Sequence, residues 1–100
     1  MLAFAVKTKE NVVFRVRKPD GKFVWTMLRL ESVESTSCVV SMGKVGYRIH
    51  RDGKPLELNW KGCPINVYFI APRGSNAQMG FEAPECVGIQ RDSFIGPLRG

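Results

Sequence analysis

Apolar and polar residues alternate with a period of two along most of this chain, the spacing of a strand with one buried face. Val12-Val13-Phe14-Arg15-Val16-Arg17 alternates toward its end, and Phe23-Val24-Trp25-Thr26-Met27-Leu28-Arg29-Leu30 is rich in aromatic and β-branched residues. Between them, Lys18-Pro19-Asp20-Gly21-Lys22 marks a hairpin: proline presets one turn position and Asp-Gly favours positive φ. After a polar link from Glu31 to Thr36, Ser37-Cys38-Val39-Val40-Ser41-Met42 predicts the next strand, with Gly43 and Gly46 as punctuation. Tyr47-Arg48-Ile49-His50-Arg51 alternates again and ends at Asp52-Gly53. Leu56 to Trp60 and Ile65 to Ile70 give two more strands, the second stopped by Ala71-Pro72-Arg73-Gly74-Ser75-Asn76. Residues 77–94 read as a strand, an Ala83-Pro84 turn and a last strand in which Val87 and Ile89 alternate with Gly88 and Gln90 before Arg91, a basic β-ribbon. No window carries a helix of three turns; a turn of helix from Ser93 would be stopped by Gly96-Pro97. The fold class expected is mainly β, a small twisted antiparallel barrel or sandwich of short strands with little or no helix.

Length bounds the chain to one domain or two small ones on a shared core: 100 residues, 44% apolar and 24% charged. The apolar runs fall far short of the roughly 20 residues that span a bilayer, and the N-terminus lacks the pattern of a secretion signal, so a cytoplasmic location is expected. The net charge of +6 points to an anionic partner, because Lys and Arg release counterions when they meet phosphates. The basic residues cluster twice, at Arg15, Arg17, Lys18 and Lys22 and at Arg48, His50, Arg51 and Lys54. Cys38, Cys63 and Cys86 form no C-x-x-C, and with His50 the only histidine no metal site and no cofactor is implied; the thiols read as reduced and structural. Catalytic motifs are missing, and the carboxylates Glu82 and Glu85 flank a turn where acids are ordinarily solvated, so no enzyme is expected. Trp25, Trp60, Tyr47 and Phe14 stand in alternating strands, which assigns them to the core rather than to base stacking. Gly80 should permit a bulge or a close backbone approach.

Phe14 to Lys22 also rhymes with Tyr47 to Lys54: an aromatic, an arginine, a β-branched residue, basic positions and Asp-Gly-Lys. Ser41-Met42-Gly43 echoes Gln78-Met79-Gly80. A duplication would give one chain two basic hairpins.

From Tyr47 to Phe94 the chain resembles the carbon-storage-regulator family of small RNA-binding translational regulators. Arg48, His50 and Arg51 fall on that family's first strand, and Gly53 on its glycine. Met79-Gly80-Phe81-Glu82-Ala83-Pro84 falls on its turn-flanking segment, and Val87, Ile89, Arg91 and Asp92 on its last strand. The resemblance implies a five-stranded homodimer of interleaved strands, in which one subunit's first strand lies beside the other's last and both read a GGA-bearing RNA loop. Carried over, it brings Arg48, His50, Arg51, Ile89, Gln90 and Arg91 to one RNA groove; the other basic cluster, Arg15, Arg17, Lys18 and Lys22, is a candidate second basic site that the charge pattern and the apparent repeat suggest, outside the resemblance. It also sets a boundary at 46/47 between an N-terminal hairpin extension, or diverged first repeat, and a regulator-like β domain. The chain departs from the family in the long 71–76 loop, in His50 where a second arginine is usual, and in the interrupted C-terminal helix. RNA is thus the expected partner, with no membrane involved. The alternatives are a small viral or mobile-element protein gripping a host protein by a basic β-edge, and a structural assembly subunit.

Overall fold

A computed structural model describes residues 1–91. Nine strands and no helix make up these residues: β1 (Leu2–Lys7), β2 (Asn11–Arg17), β3 (Phe23–Val33), β4 (Ser37–Met42), β5 (Val45–His50), β6 (Leu56–Trp60), β7 (Cys63–Arg73), β8 (Asn76–Glu82) and β9 (Val87–Arg91). They form two antiparallel sheets, β1-β8-β7-β6 and β5-β4-β3-β2-β9. The expected all-β architecture is what the chain adopts. The turn of helix expected after Ser93, and the motif residue Asp92, lie outside the described residues.

The alternation sets the core. Val12 and Phe14 of β2 and Leu28 and Leu30 of β3 turn inward, into one cluster with Val6, Ile65, Val67, Met79 and Phe81 of the other sheet. Phe81 ties the layers together: it stacks on Phe4 at 5.2 Å and meets Phe14 edge-on at 6.0 Å. Burying a side chain such as Phe14 contributes about 1.5–3 kcal/mol.

Turn chemistry fixes the registers. Lys18 N–H donates to the Lys22 carbonyl and Gly21 N–H to that of Lys18, with Gly21 at φ 86°, as the hairpin signal requires. Two-residue turns at Gly43-Lys44, Lys61-Gly62 and Gly74-Ser75 close the hairpins β4–β5, β6–β7 and β7–β8.

Five expectations need correction. Strand β7 runs through Ala71 and Pro72 to Arg73, so the supposed long loop is a tight turn. Pro72 is tolerated because that end of β7 pairs only with β8. Strand β3 continues through the polar link to Val33 by way of a bulge between Leu30 and Ser32. Strands β8 and β9 belong to different sheets, so the two form no ribbon; the Ala83-Pro84 turn is a crossing between layers. The boundary drawn after residue 46 falls inside β5, and each sheet mixes strands from both sides of it around one core.

The fifth correction concerns the repeat. The hairpin β2–β3 has no counterpart at Tyr47 to Lys54, because β5 and β6 lie in different sheets. The pairing registers show another correspondence. The bulge in β3 between Leu30 and Ser32 has its match in β7 between Phe69 and Ala71. Around each bulge the partners run alike: Leu30↔Val40 and Val33↔Cys38 against Phe69↔Met79 and Pro72↔Ala77. The flanking strands follow suit, β1 crossing to β8 (Val6↔Ala77) and β5 joining β4 (Ile49↔Cys38). Hence β1 to β4 correspond in order to β5 to β8, and each set lends its first strand to the other set's sheet.

Candidate nucleic-acid interface

The outward positions of β2 and β3 carry the most unusual surface of the molecule. Phe23, Trp25 and Met27 are 48%, 54% and 51% exposed, too open for core residues. Trp25 therefore departs from the expected core placement, whereas Phe14 is buried and Trp60 and Tyr47 pack partly buried against the core. The cause is phase: Trp25 shares its side of the strand with Met27 and Arg29, opposite to Leu28 and Leu30.

Cross-strand pairing sets cations among these apolar groups. Arg15 lies opposite Trp25, Arg17 opposite Phe23, and Val13 opposite Met27. The Arg15 guanidinium sits 4.7 Å from the centre of the Phe23 ring and 5.9 Å from that of Trp25. On its other flank β9 brings Gly88 opposite Arg15 and Gln90 opposite Val13. A Cβ at Gly88 would lie 3.5 Å from the Arg15 Nη2, an ordinary contact, so the guanidinium lies over this position of β9. The β2–β3 turn adds Lys18, beside Asp20 at 3.8 Å, and the exposed Lys22. A cavity of about 600 Å³ continues from the turn between the sheets, lined by Arg17, Lys18, Lys61, Cys63 and Cys86. There the Cys63 thiol hydrogen-bonds that of Cys86, which together with desolvation pushes it above the ordinary thiol range. Buried Cys38 is pushed up to about 11 by desolvation and is inert as a nucleophile at neutral pH.

Within one chain the residues gathered by the resemblance do not meet. Arg48 and His50 lie on β5, at the sheet edge opposite β9, with β4, β3 and β2 between them and Arg91. Arg48 Nη1 donates to Glu34 Oε1 at 3.1 Å and to Ser37 Oγ at 2.9 Å. Arg51 Nε donates to the Ile70 carbonyl at 3.1 Å. These contacts hold the β5 end in place. Arg91, mostly buried, pairs with Glu10 at 3.6 Å. Ile89, Gln90 and Arg91 instead line a cavity of about 280 Å³ with Leu2, Ala3 and Phe4 of β1. The strand paired with β9 is β2, and the cavity wall that faces it from the other sheet is β1 of the same chain. Sequence reasoning misses β1, because residues 1–7 are set there only against the pattern of a leader, although the alternation of Leu2, Phe4 and Val6 with alanine marks a strand. Gly80 sits at no bulge, and the atoms nearest to a Cβ built there are side-chain atoms of exposed Met1 and of Ile70 rather than the backbone approach expected.

Among the described residues no three His, Cys, Asp or Glu side chains gather as a metal site, and no helix is long and apolar enough to cross a membrane. Comparison of the chain with known protein families, with curated proteins and with solved structures finds no match.

Proposed function

We propose that the protein binds single-stranded or loop RNA across the outer face of β2, β3 and β9. The observation that carries this reading is Arg15 lying between Phe23 and Trp25 on an exposed, cation-flanked sheet face. Exposed rings offer π-faces on which unpaired bases stack, and the guanidinium adds both a stacking plane and a phosphate contact. Arg17, Lys18, Lys22 and Arg29 supply further positive charge around the rings. Gln90 extends the face onto β9 with a side chain that can both donate to and accept from a base edge. Beyond it, Ile89, Gln90 and Arg91, which the resemblance to the carbon-storage-regulator family assigns to RNA, line a cavity with Leu2, Ala3 and Phe4 of β1. That resemblance supplies a GGA-bearing loop as the first target and translational control as the role to test.

Titrating a labelled GGA-bearing hairpin and a scrambled single strand by fluorescence anisotropy, at several salt concentrations, tests the reading. Log affinity should fall linearly with log salt. Arg17→Ala should weaken binding and reduce that slope by about 1. Affinity independent of salt, or none, would leave the face to a protein partner.

A further inference from the structure

We infer that the chain is its own partner: a duplicated unit folded into an internal strand-exchanged pair, which stays monomeric and presents one RNA face instead of two. The RNA half of this statement rests on the function proposed above; the internal pairing does not.

The correspondence of β1–β4 with β5–β8 extends to details that a shared fold class does not demand. Both bulges fall at the same step of the ladder. Both hairpin tips bind the strand lent to them by one polar contact: Arg51 N–H donates to the Thr36 carbonyl, and the Thr8 hydroxyl donates to the Ser75 carbonyl. By the pairing registers, Thr8 stands to β1 as Arg51 stands to β5, and Ser75 to β8 as Thr36 to β4. In each case the first strand of one unit closes the edge of the other unit's sheet, the place that a second copy's strand would otherwise fill.

Strand β9 breaks the symmetry. It follows β8 after a four-residue crossing, whereas β4 is joined to β5 by Gly43 and Lys44 alone. The first unit therefore has no room for a fifth strand, and β2 gains a neighbour that β6 lacks among the described strands.

The two outer faces have diverged to match. Position by position, Arg15 and Trp25 correspond to Asn59 and Pro64, and Val13 and Met27 to Glu57 and Asn66. The second face therefore has no ring flanked by a guanidinium at the corresponding step, and its Tyr68 hydroxyl is engaged by the Glu82 carboxylate. Glu57 and Glu82 would repel a phosphate backbone there.

Two measurements on the intact chain decide the matter. Light scattering coupled to size-exclusion chromatography should give the mass of one chain, 11.2 kDa, across a wide range of protein concentration. Native mass spectrometry with a short single-stranded RNA should saturate at one RNA per chain. Glu57→Ala with Glu82→Ala should leave that ratio unchanged, and Arg15→Ala with Trp25→Ala should abolish binding. A mass of two chains in the free protein would overturn the internal pairing, and two RNAs per chain would overturn the single face. A one-chain mass with no RNA bound upholds the internal pairing and sinks the RNA reading alone.

Discussion

Replacing Trp25 by alanine isolates stacking from charge. The ring stands on the outer face of β3, half exposed, with Arg15 as its cross-strand neighbour. Its loss removes one cross-strand pair and one cation–π contact, a stability cost of about 1 kcal/mol. No buried residue is uncovered to compare with the loss of Phe14, so the fold survives. Binding should suffer more. One base stacked on an aromatic is worth about 1–3 kcal/mol, which converts to a loss of roughly 5- to 150-fold in affinity. The dependence on salt should keep its slope, because no phosphate-neutralising group has been removed. Anisotropy titrations of Trp25→Ala at three or more salt concentrations, beside circular-dichroism melts, read both quantities. Unchanged affinity in a folded variant would refute the stacking argument, and a flattened salt slope would show that Trp25 acts by ordering its cationic neighbours.

Phe14→Ala, which empties the contact with Phe81 at the centre of the core, should cost about 3–5 kcal/mol by denaturant unfolding. Glu10→Gln should destabilise by about 1–3 kcal/mol, because it takes the counter-charge from mostly buried Arg91; a melting temperature equal to wild type would contradict this. Desolvation raises the Cys38 thiol from 9.0 to about 11, so its contribution to stability is whole below about pH 9 and fades as pH climbs toward 11. Cys38→Ala should accordingly flatten the alkaline decline in melting temperature, and native Cys38 should resist iodoacetamide at pH 8, read by peptide mass spectrometry.

How far the residues foretold all this varies by element. The Pro19-Asp20-Gly21 turn and the alternation around it located β2 and β3, since turn chemistry and period are local. The extension of β7 through Pro72 was hidden, because a proline's effect depends on which side of the strand has a neighbour. Trp25 was misplaced in the core because alternation says which residues share a face but not which face is inward. Arg48 and Arg51 looked like ligand contacts, yet Glu34, Ser37 and the Ile70 carbonyl engage them, partners that only the tertiary fold brings near. The repeat was audible in composition but set in the wrong frame: Asp-Gly-Lys turns attract the eye, whereas the bulge at Leu30/Ser32 and its twin at Phe69/Ala71 leave no residue signature.

Strand β1 pairs with β8 from Leu2↔Phe81 to Lys7↔Asn76, joining opposite ends of the sequence. Such distant pairing makes the loop-closing entropy large and folding slow, on the order of milliseconds to seconds. During synthesis the first strand leaves the ribosome long before its mate exists. Until residues 76–82 emerge, Leu2, Phe4 and Val6 wait unprotected, and the nascent chain is vulnerable to aggregation and to chaperone capture over that interval.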